Sequence, residues 1–485
     1  MLATQSLKNQ KYIVAAGVLL AFVFAFASIY QTWWVFAIPV GIAVIISSII
    51  YTEKTLLFFG ALAPLSRNVE NLAGGFGMSL PTEPVYIFLF LLLIFQVIKE
   101  GKIYVGYLKH PVILAVTSYL IWLCICSIFS SLPMVSFKFT LARAWYITLF
   151  FYFGVKIFRD YHKIHWFIKA FTAFTMILVF YTLFMHAKEG FTRGSSYDIS
   201  WPFFPDHGMY AAAIAFGFFT LLIYTLFVEQ FKFHVFVSPV LLILWLILWF
   251  AIIVSFTRAT WLSLLVAASL WVVMQLRIKF IWILLVVFLV GTVGVVKQDE
   301  ILYALEANKQ GSSDELEGHV KSVSNITTDP SNLERINRWK CASRMVSERP
   351  VFGFGPGTYV FKYGPFQKSS ELTLISTNAG DLGDAHSEFF SAMSETGFLG
   401  MFLFISIVLT TLATSFKVIY TSPILKVRLT AYIAIMGLVT YYSHAFLNNY
   451  TQYDKLAVPF WGFTAIIVAL DLFHKQGIFD AKKAI

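Results

Sequence analysis

Long apolar runs separated by short polar segments make up most of the chain. The runs recur at about 18 to 22 residues, the length that an α-helix needs to cross the hydrocarbon core of a bilayer. We interpret about fourteen of them as candidate spans. They are residues 13–30, 34–50, 55–66, 83–98, 112–132, 137–156, 165–186, 208–228, 236–255, 259–276, 279–296, 386–414, 429–446 and 457–473. The pattern predicts an all-α polytopic membrane protein with about 12 to 14 transmembrane helices.

One polar segment, 297–385, interrupts this pattern before the last three spans. About ninety residues are too many for an ordinary connector, so we expect a loop domain with short helices. Within it, 334–349 has the apolar spacing of an amphipathic helix, and Pro350 with the glycines after it ends that helix in a turn. The sequence therefore divides into an N-terminal transmembrane helix bundle (1–296), the loop domain (297–385) and C-terminal transmembrane helices (386–485).

Composition and charge agree with a membrane protein and indicate its orientation. Hydrophobic residues make up 58% of the chain and charged residues only 13%, against roughly 25% charged in soluble proteins, which excludes a water-soluble fold. The 36 Lys and Arg against 26 Asp and Glu leave a net charge of +10. With both termini in the cytoplasm, basic residues concentrate in the cytoplasmic segments, as the positive-inside rule requires. The basic surplus then indicates a lipid bilayer as partner, and no nucleic acid.

Three short motifs lie in and just after the polar segment. The first is Arg335-x-x-x-Trp339, and the second is the glycine turn 352–357, with sequence FGFGPG. The third is His386-Ser387, followed at a fixed distance by Glu395-Thr396-Gly397. Together they resemble the O-antigen ligase and polymerase superfamily of bacterial membrane glycosyltransferases, which contains WaaL-type ligases, Wzy-type polymerases and PglL-type O-oligosaccharyltransferases.

The resemblance covers roughly residues 250–460. Ser387 stands where the family motif has Asn, and Phe390 where it has Leu. The resemblance implies a GT-C-like helical fold with a large periplasmic loop, in the bacterial inner (cytoplasmic) membrane. It also implies a donor glycan on undecaprenyl diphosphate.

A lipid-linked diphosphate needs fixed cations in a partly dehydrated cleft, and arginine suits this through its permanent charge and bidentate geometry. By resemblance, Arg258 at the junction of two spans and Arg335 beside Trp339 bind the donor diphosphate. Arg143 lies about seven residues inside a span, where a cation is costly and usually faces a cavity or a partner. The alternatives are a snorkelling Arg258, a solvated helix face for Arg335, and a buried structural pair for Arg143.

His386 opens the twelfth span, and an imidazole with an ordinary pKa of about 6.5 is able to take a proton from an acceptor hydroxyl near neutral pH. We therefore assign it the role of catalytic base, against the alternative of a helix-capping histidine. Glu395 lies more than two turns deeper, so we expect it to hold structure. Supporting roles fall to Trp339 and to Gly355 and Gly357, which are expected to form a tight turn rather than a nucleotide loop.

Two further external clusters, 188–210 and 443–454, combine aromatic and polar residues. Trp201, His207 and Tyr453 are candidate glycan contacts in them. The alternative is an interfacial aromatic belt.

The resemblance implies an inverting, metal-independent glycosyltransferase, and we expect no cofactor and no metal site. It moves a glycan from undecaprenyl diphosphate to an acceptor hydroxyl at the periplasmic face, with lipid A-core as the first candidate acceptor. The alternatives within the superfamily are an O-antigen or exopolysaccharide polymerase and a protein O-oligosaccharyltransferase. A polysaccharide transporter or flippase is the alternative from another class, but the sequence lacks the two related halves that such a protein predicts.

Overall fold

A computed structural model of the chain describes residues 37–72, 76–100, 109–234, 236–297, 330–373, 376 and 383–475. It separates into two compact units, 1–57 and 58–485. The predicted first span, 13–30, and most of the segment 297–333 lie outside the described residues.

Most of the described residues are helical. The helices are α1 (Ala37–Ile50), α2 (Thr52–Leu62), α3 (Thr82–Glu100), α4 (Pro111–Ile128), α5 (Pro133–Tyr146), α6 (Phe153–Ile157), α7 (Tyr161–Lys188), α8 (Arg193–Ser196), α9 (His207–Leu226), α10 (Val237–Val254), α11 (Arg258–Gln275), α12 (Phe280–Val296), α13 (Pro330–Glu348), α14 (Tyr359–Lys362), α15 (Glu388–Thr421), α16 (Leu425–Leu447) and α17 (Asp454–Ala469). A π-helical segment, Ile147–Tyr152, joins α5 to α6, and another, Leu470–His474, extends α17.

Eight helices in the described part of the chain are long and apolar enough to cross a membrane: α3, α4, α7, α9, α10, α11, α15, and α17 with its extension. This confirms the predicted all-α polytopic membrane protein. Two shorter apolar helices, 38–50 and 280–293, add to them. The predicted span 55–66 instead coincides with the 11-residue helix α2 and a 3₁₀ turn containing Pro64.

An antiparallel hairpin was not predicted by the apolar pattern. Strands β1 (Arg67–Leu72) and β2 (Phe76–Leu80) pair with Arg67 opposite Leu80. The apolar residues of β1 are too few to give an alternating signal over its six positions, so a period-2 search misses it. The hairpin connects the α2 region to α3.

Helices α9, α16 and α17 form the centre of the larger unit. In α9 and in α17, 83% of the residues in the most apolar stretch are buried, against 22% in α10 and α11. Small residues let these central helices approach closely, because a Cβ on Gly437 of α16 would lie 3.0 Å from the ring of Phe216 on α9. The ends of these tightly packed helices carry the polar residues described next.

Candidate functional site

Helix α13 packs on the beginning of α15, which brings the first motif against the third. The indole ring of Trp339 stacks on Phe390, with ring centroids 5.1 Å apart and an interplanar angle of 8°. Its N–H donates to the carbonyl oxygen of His386 at 3.4 Å. Because Arg335 lies one helical turn before Trp339, the same contact holds Arg335 on the His386 side of α13.

The glycine turn packs on a break in α15. Gly397 has φ +72°, so the helical hydrogen bonds stop there. The freed carbonyl oxygens of Ser394 and Glu395 accept the N–H groups of Phe354 (3.0 Å) and Gly355 (2.8 Å). The turn therefore supplies the donors that the broken helix lacks, since buried carbonyl groups need partners.

The same turn also lies against the loop between α4 and α5. Gly355 (φ +113°) and Gly357 (φ +73°) have backbone conformations that favour glycine, and a Cβ at either position would collide with Ser130 or Phe139. The N–H of Ser131 donates to the carbonyl oxygen of Phe354 at 2.8 Å. The two glycines are thus required for close backbone packing, and the amides of Phe354 and Gly355 are used inside the protein.

His386 lies just before α15 in a left-handed conformation, with φ +46°. Ser387 is the N-cap of the helix, accepting the N–H of Phe390 at 3.5 Å, and its hydroxyl donates to the carbonyl oxygen of Ala445 at 3.2 Å. One carboxylate oxygen of Asp384 accepts the backbone N–H of His386 at 2.8 Å and lies 3.2 Å from its ring Nδ1. The His386 side chain is 38% exposed, so the ring remains accessible to a substrate.

Charges around His386 act in opposite directions on its protonation. Burial lowers the pKa of His386, the Asp384 carboxylate raises it, and the guanidinium groups of Arg335 and Arg338 lower it, with a net lowering. Arg335 donates through Nε to the carbonyl oxygen of Leu447, the last residue of α16, at 3.2 Å. A histidine with a lowered pKa is mainly neutral at physiological pH, as a base must be.

Three helix ends meet beside Arg335. Arg258 is the first residue of α11, and its neighbour Thr257 donates to the carbonyl oxygen of His207, the first residue of α9, at 3.5 Å. One turn further along α11, the hydroxyl of Thr260 lies 3.0 Å from Nε2 of His444 on α16. The structure therefore places Arg258 and His207 around the α16 end that accepts Arg335.

Arg143 lies in a separate buried cluster beneath the start of α15. Its side chain is 4% exposed, contacts the Thr451 hydroxyl and lies 3.4 Å from the carboxylate of Glu388. Glu388 also accepts the hydroxyls of Tyr441 (2.8 Å) and Thr451 (2.6 Å). Of the two interpretations of Arg143, this geometry favours the buried structural pair.

Glu395 is 5% exposed and faces the same small cavity as Arg143 and Glu388. One of its carboxylate oxygens accepts the N–H of Tyr359 at 3.1 Å. Glu395 thus ties α14, which follows the glycine turn, to α15.

The candidate glycan contacts are spread around the site. The rings of His207 and Tyr197 lie edge to face with their centroids 4.5 Å apart. Trp201 is 53% exposed. The backbone N–H of Tyr453 donates to the carbonyl oxygen of Tyr450. Of the three, His207 lies at the helix ends around Arg335.

Sequence reasoning gave no role to Glu334 and Arg338, although their four-residue spacing was a usable signal for a helical ion pair. Nε of Arg338 lies 2.6 Å from the Glu334 carboxylate, and its guanidinium group lies 3.9 Å above the Tyr363 ring. Burial alone would raise the pKa of Glu334, but hydrogen bonds from Ser376, Thr373 and Arg338 outweigh it and lower the pKa. Through these hydrogen bonds the pair attaches Thr373 and Ser376 to α13.

A second buried polar cluster was also missed. Asp454 at the start of α17 accepts the hydroxyls of Ser66 (2.6 Å) and Thr82 (2.7 Å) and pairs with Lys455 at 3.1 Å. These groups come from residues more than 370 positions apart in sequence, so no local pattern reveals them. The cluster fixes both ends of the β-hairpin segment to α17.

Comparison with protein families finds that residues 241–405 match the family described as O-antigen ligase. The matched range contains Arg258, Arg335, the glycine turn and His386, and it excludes Arg143. Comparison of the chain with curated proteins finds no match. Family members are membrane enzymes that act on polyprenyl-linked glycans. The matched residues hold all three motifs, and the match supports the O-antigen ligase and polymerase superfamily that the sequence resembles.

Proposed function

We propose that the protein is an inverting, metal-independent glycosyltransferase of the periplasmic face of the bacterial inner membrane. It moves a glycan from undecaprenyl diphosphate to an acceptor hydroxyl, and ligation to lipid A-core is the leading reaction. The observation that supports the proposal is the contact of Trp339, one helical turn after Arg335, with the carbonyl oxygen of His386. Ligation leads because the matching family is described as O-antigen ligase.

In the proposed reaction His386 takes the proton of the acceptor hydroxyl as its oxygen attacks the anomeric carbon. The bond from that carbon to the donor diphosphate breaks, and the electron pair leaves with the diphosphate. Arg335 and Arg258 bind the diphosphate and stabilise the charge that develops on it. Direct attack from the opposite face inverts the anomeric carbon.

The position of these residues at helix ends supports a lipid-linked donor. Arg258 begins α11, His207 begins α9, His386 precedes α15, and Arg335 contacts the end of α16. These helix ends mark the level at which an apolar helix leaves the hydrocarbon core. A polyprenyl chain held beside the bundle would place its diphosphate at that level.

The test is transfer by the purified protein in detergent from a defined undecaprenyl diphosphate glycan to lipid A-core, with EDTA present. We expect transfer by the native protein and at least a hundredfold lower rate for His386→Ala, since a general base contributes about 10²–10⁴-fold. His162→Ala is the matched control, because His162 is an exposed histidine at the start of α7, far along the chain from all three motifs.

Each other outcome identifies a different function. Full transfer by His386→Ala contradicts the assignment of the base, and transfer abolished by EDTA contradicts metal independence. Elongation of the lipid-linked glycan without transfer to lipid A-core indicates a polymerase. If the protein reconstituted in vesicles moves the lipid-linked glycan across the bilayer without any transfer, it is a flippase.

A further inference from the structure

Asp384 and His386 form a compact unit that the capping of α15 does not require. Ser387 already caps the helix. Asp384 nevertheless places one carboxylate oxygen both on the backbone N–H of His386 and 3.2 Å from its ring Nδ1. The carboxylate thus contacts the ring on the nitrogen opposite to the one left for a substrate.

The surrounding contacts hold this unit in place. His386 keeps a left-handed φ of +46°, which costs free energy in any residue with a Cβ, so tertiary contacts must maintain it. The Trp339 indole holds the carbonyl oxygen of His386 from α13. On the other side, Gly383 lies against the guanidinium group of Arg338, which is itself paired with Glu334. Asp384 therefore lies between two residues that contact α13.

We infer that Asp384 is a positioning residue for the proposed base, holding the His386 ring with its proton on Nδ1 and leaving Nε2 free to accept the proton of the acceptor hydroxyl. This inference rests on the proposed function. A neutral imidazole carries one ring proton, and a carboxylate oxygen 3.2 Å from Nδ1 favours the tautomer with that proton on Nδ1 and a basic Nε2. When Nε2 takes the proton, the Asp384 carboxylate stabilises the imidazolium that forms, as in other carboxylate–histidine pairs.

The charge of Asp384 also affects the pKa of His386 in a predictable direction. Among the described residues, the charged groups that act on the His386 ring are Asp384 in its own segment and Arg335, Arg338 and Glu334 on α13. Asp384 raises the pKa of His386 against burial and the arginines. Removing its charge lowers the pKa of His386 further. The base then stays deprotonated to lower pH, so the acid limb of kcat/KM moves to lower pH while kcat falls.

The experiment compares Asp384→Asn and Asp384→Ala with the native protein in the transfer reaction and in ¹⁵N NMR of histidine-labelled protein. Asp384→Asn keeps an oxygen for the backbone N–H but loses the charge, so a purely structural Asp384 predicts native kinetics for this variant. We expect kcat to fall at least about tenfold in Asp384→Asn, with the acid limb shifted to lower pH. In Asp384→Ala we expect the ring to lose its preference for the Nδ1–H tautomer.

The chain offers a close control in Asp160→Asn. A carboxylate oxygen of Asp160 accepts the backbone N–H of His162 at 3.0 Å, the same two-residue turn as Asp384 and His386 but at the start of α7. This variant should leave the rate, its pH profile and the His386 signals unchanged. A His386 signal with the Nδ1–H tautomer and an Asp384-dependent pKa supports the inference even if the protein transfers no glycan. Unchanged tautomer, pKa and kcat in both Asp384 variants overturn it, whether or not His386→Ala is inactive.

Discussion

At the residue scale, the buried pair of Arg143 and Glu388 shows what position along the chain leaves open. A cation inside an apolar span suggests a ligand site or a partner. In the structure Glu388 lies 245 residues away in sequence and shares its oxygens with Tyr441, Thr451 and Arg143. Both carboxylate oxygens of Glu388 have partners inside the protein, so removal of Arg143 should affect stability before it affects substrate binding.

We predict that Arg143→Gln destabilises the protein by about 3–5 kcal/mol, because it leaves the Glu388 carboxylate buried without its cation. The double variant Arg143→Gln/Glu388→Gln should recover part of that loss, since it also removes the buried charge. Thermal unfolding in detergent measures both. A fully stable Arg143→Gln protein with weakened donor binding would instead place Arg143 in the donor site.

At the element scale, the break in α15 determines how the loop motifs contact one another. Gly397 ends the regular helix, and the segment from Pro350 to Gly355 completes its hydrogen bonds from outside. The N–H of Phe398, just after the break, donates to the carbonyl oxygen of Pro350 at 3.0 Å. The glycine turn and α15 are therefore one structural unit, although about forty residues separate them in sequence.

We predict that Gly397→Ala destabilises the protein by about 2 kcal/mol or more. A left-handed φ is strained for any residue with a Cβ, and this Cβ would collide with the carbonyl group of Val351. Thermal unfolding in detergent measures the change. The control is Gly291→Ala on α12, where a Cβ meets nothing within 4 Å and should be neutral or stabilising by up to about 1 kcal/mol. Equal stability of the two variants would contradict the proposed need for glycine at the break.

At the scale of the whole molecule, the proposed chemistry depends on which side of the membrane the site faces. The positive-inside argument places α13 and His386 in the periplasm and the start of α7 in the cytoplasm.

Labelling of introduced cysteines tests this orientation. In a background with Cys124, Cys126 and Cys341 replaced by Ala, we expect Ser343→Cys on the exposed face of α13 to react with a membrane-impermeant maleimide on the periplasmic side. His162→Cys at the start of α7 should react only after the inner membrane is opened. The reverse pattern would invert the topology and place His386 in the cytoplasm.

The sequence by itself determined that this is a polytopic membrane protein, and its motifs indicated the superfamily. Apolar runs long enough to cross a bilayer consist of consecutive residues. Each of the three motifs inside the matched range 241–405 is also local in the sequence. The contact of Trp339 with His386 was implied by no spacing, but each partner was already recognisable from its own motif.

Only the tertiary structure decided which polar groups meet. The Asp454 cluster, the partner of Arg143 and the docking of the glycine turn on the broken helix all join residues far apart in the chain. These contacts form because buried charges and buried backbone groups need partners, and the partners are groups that lie close in space. Local sequence patterns carry no record of that proximity.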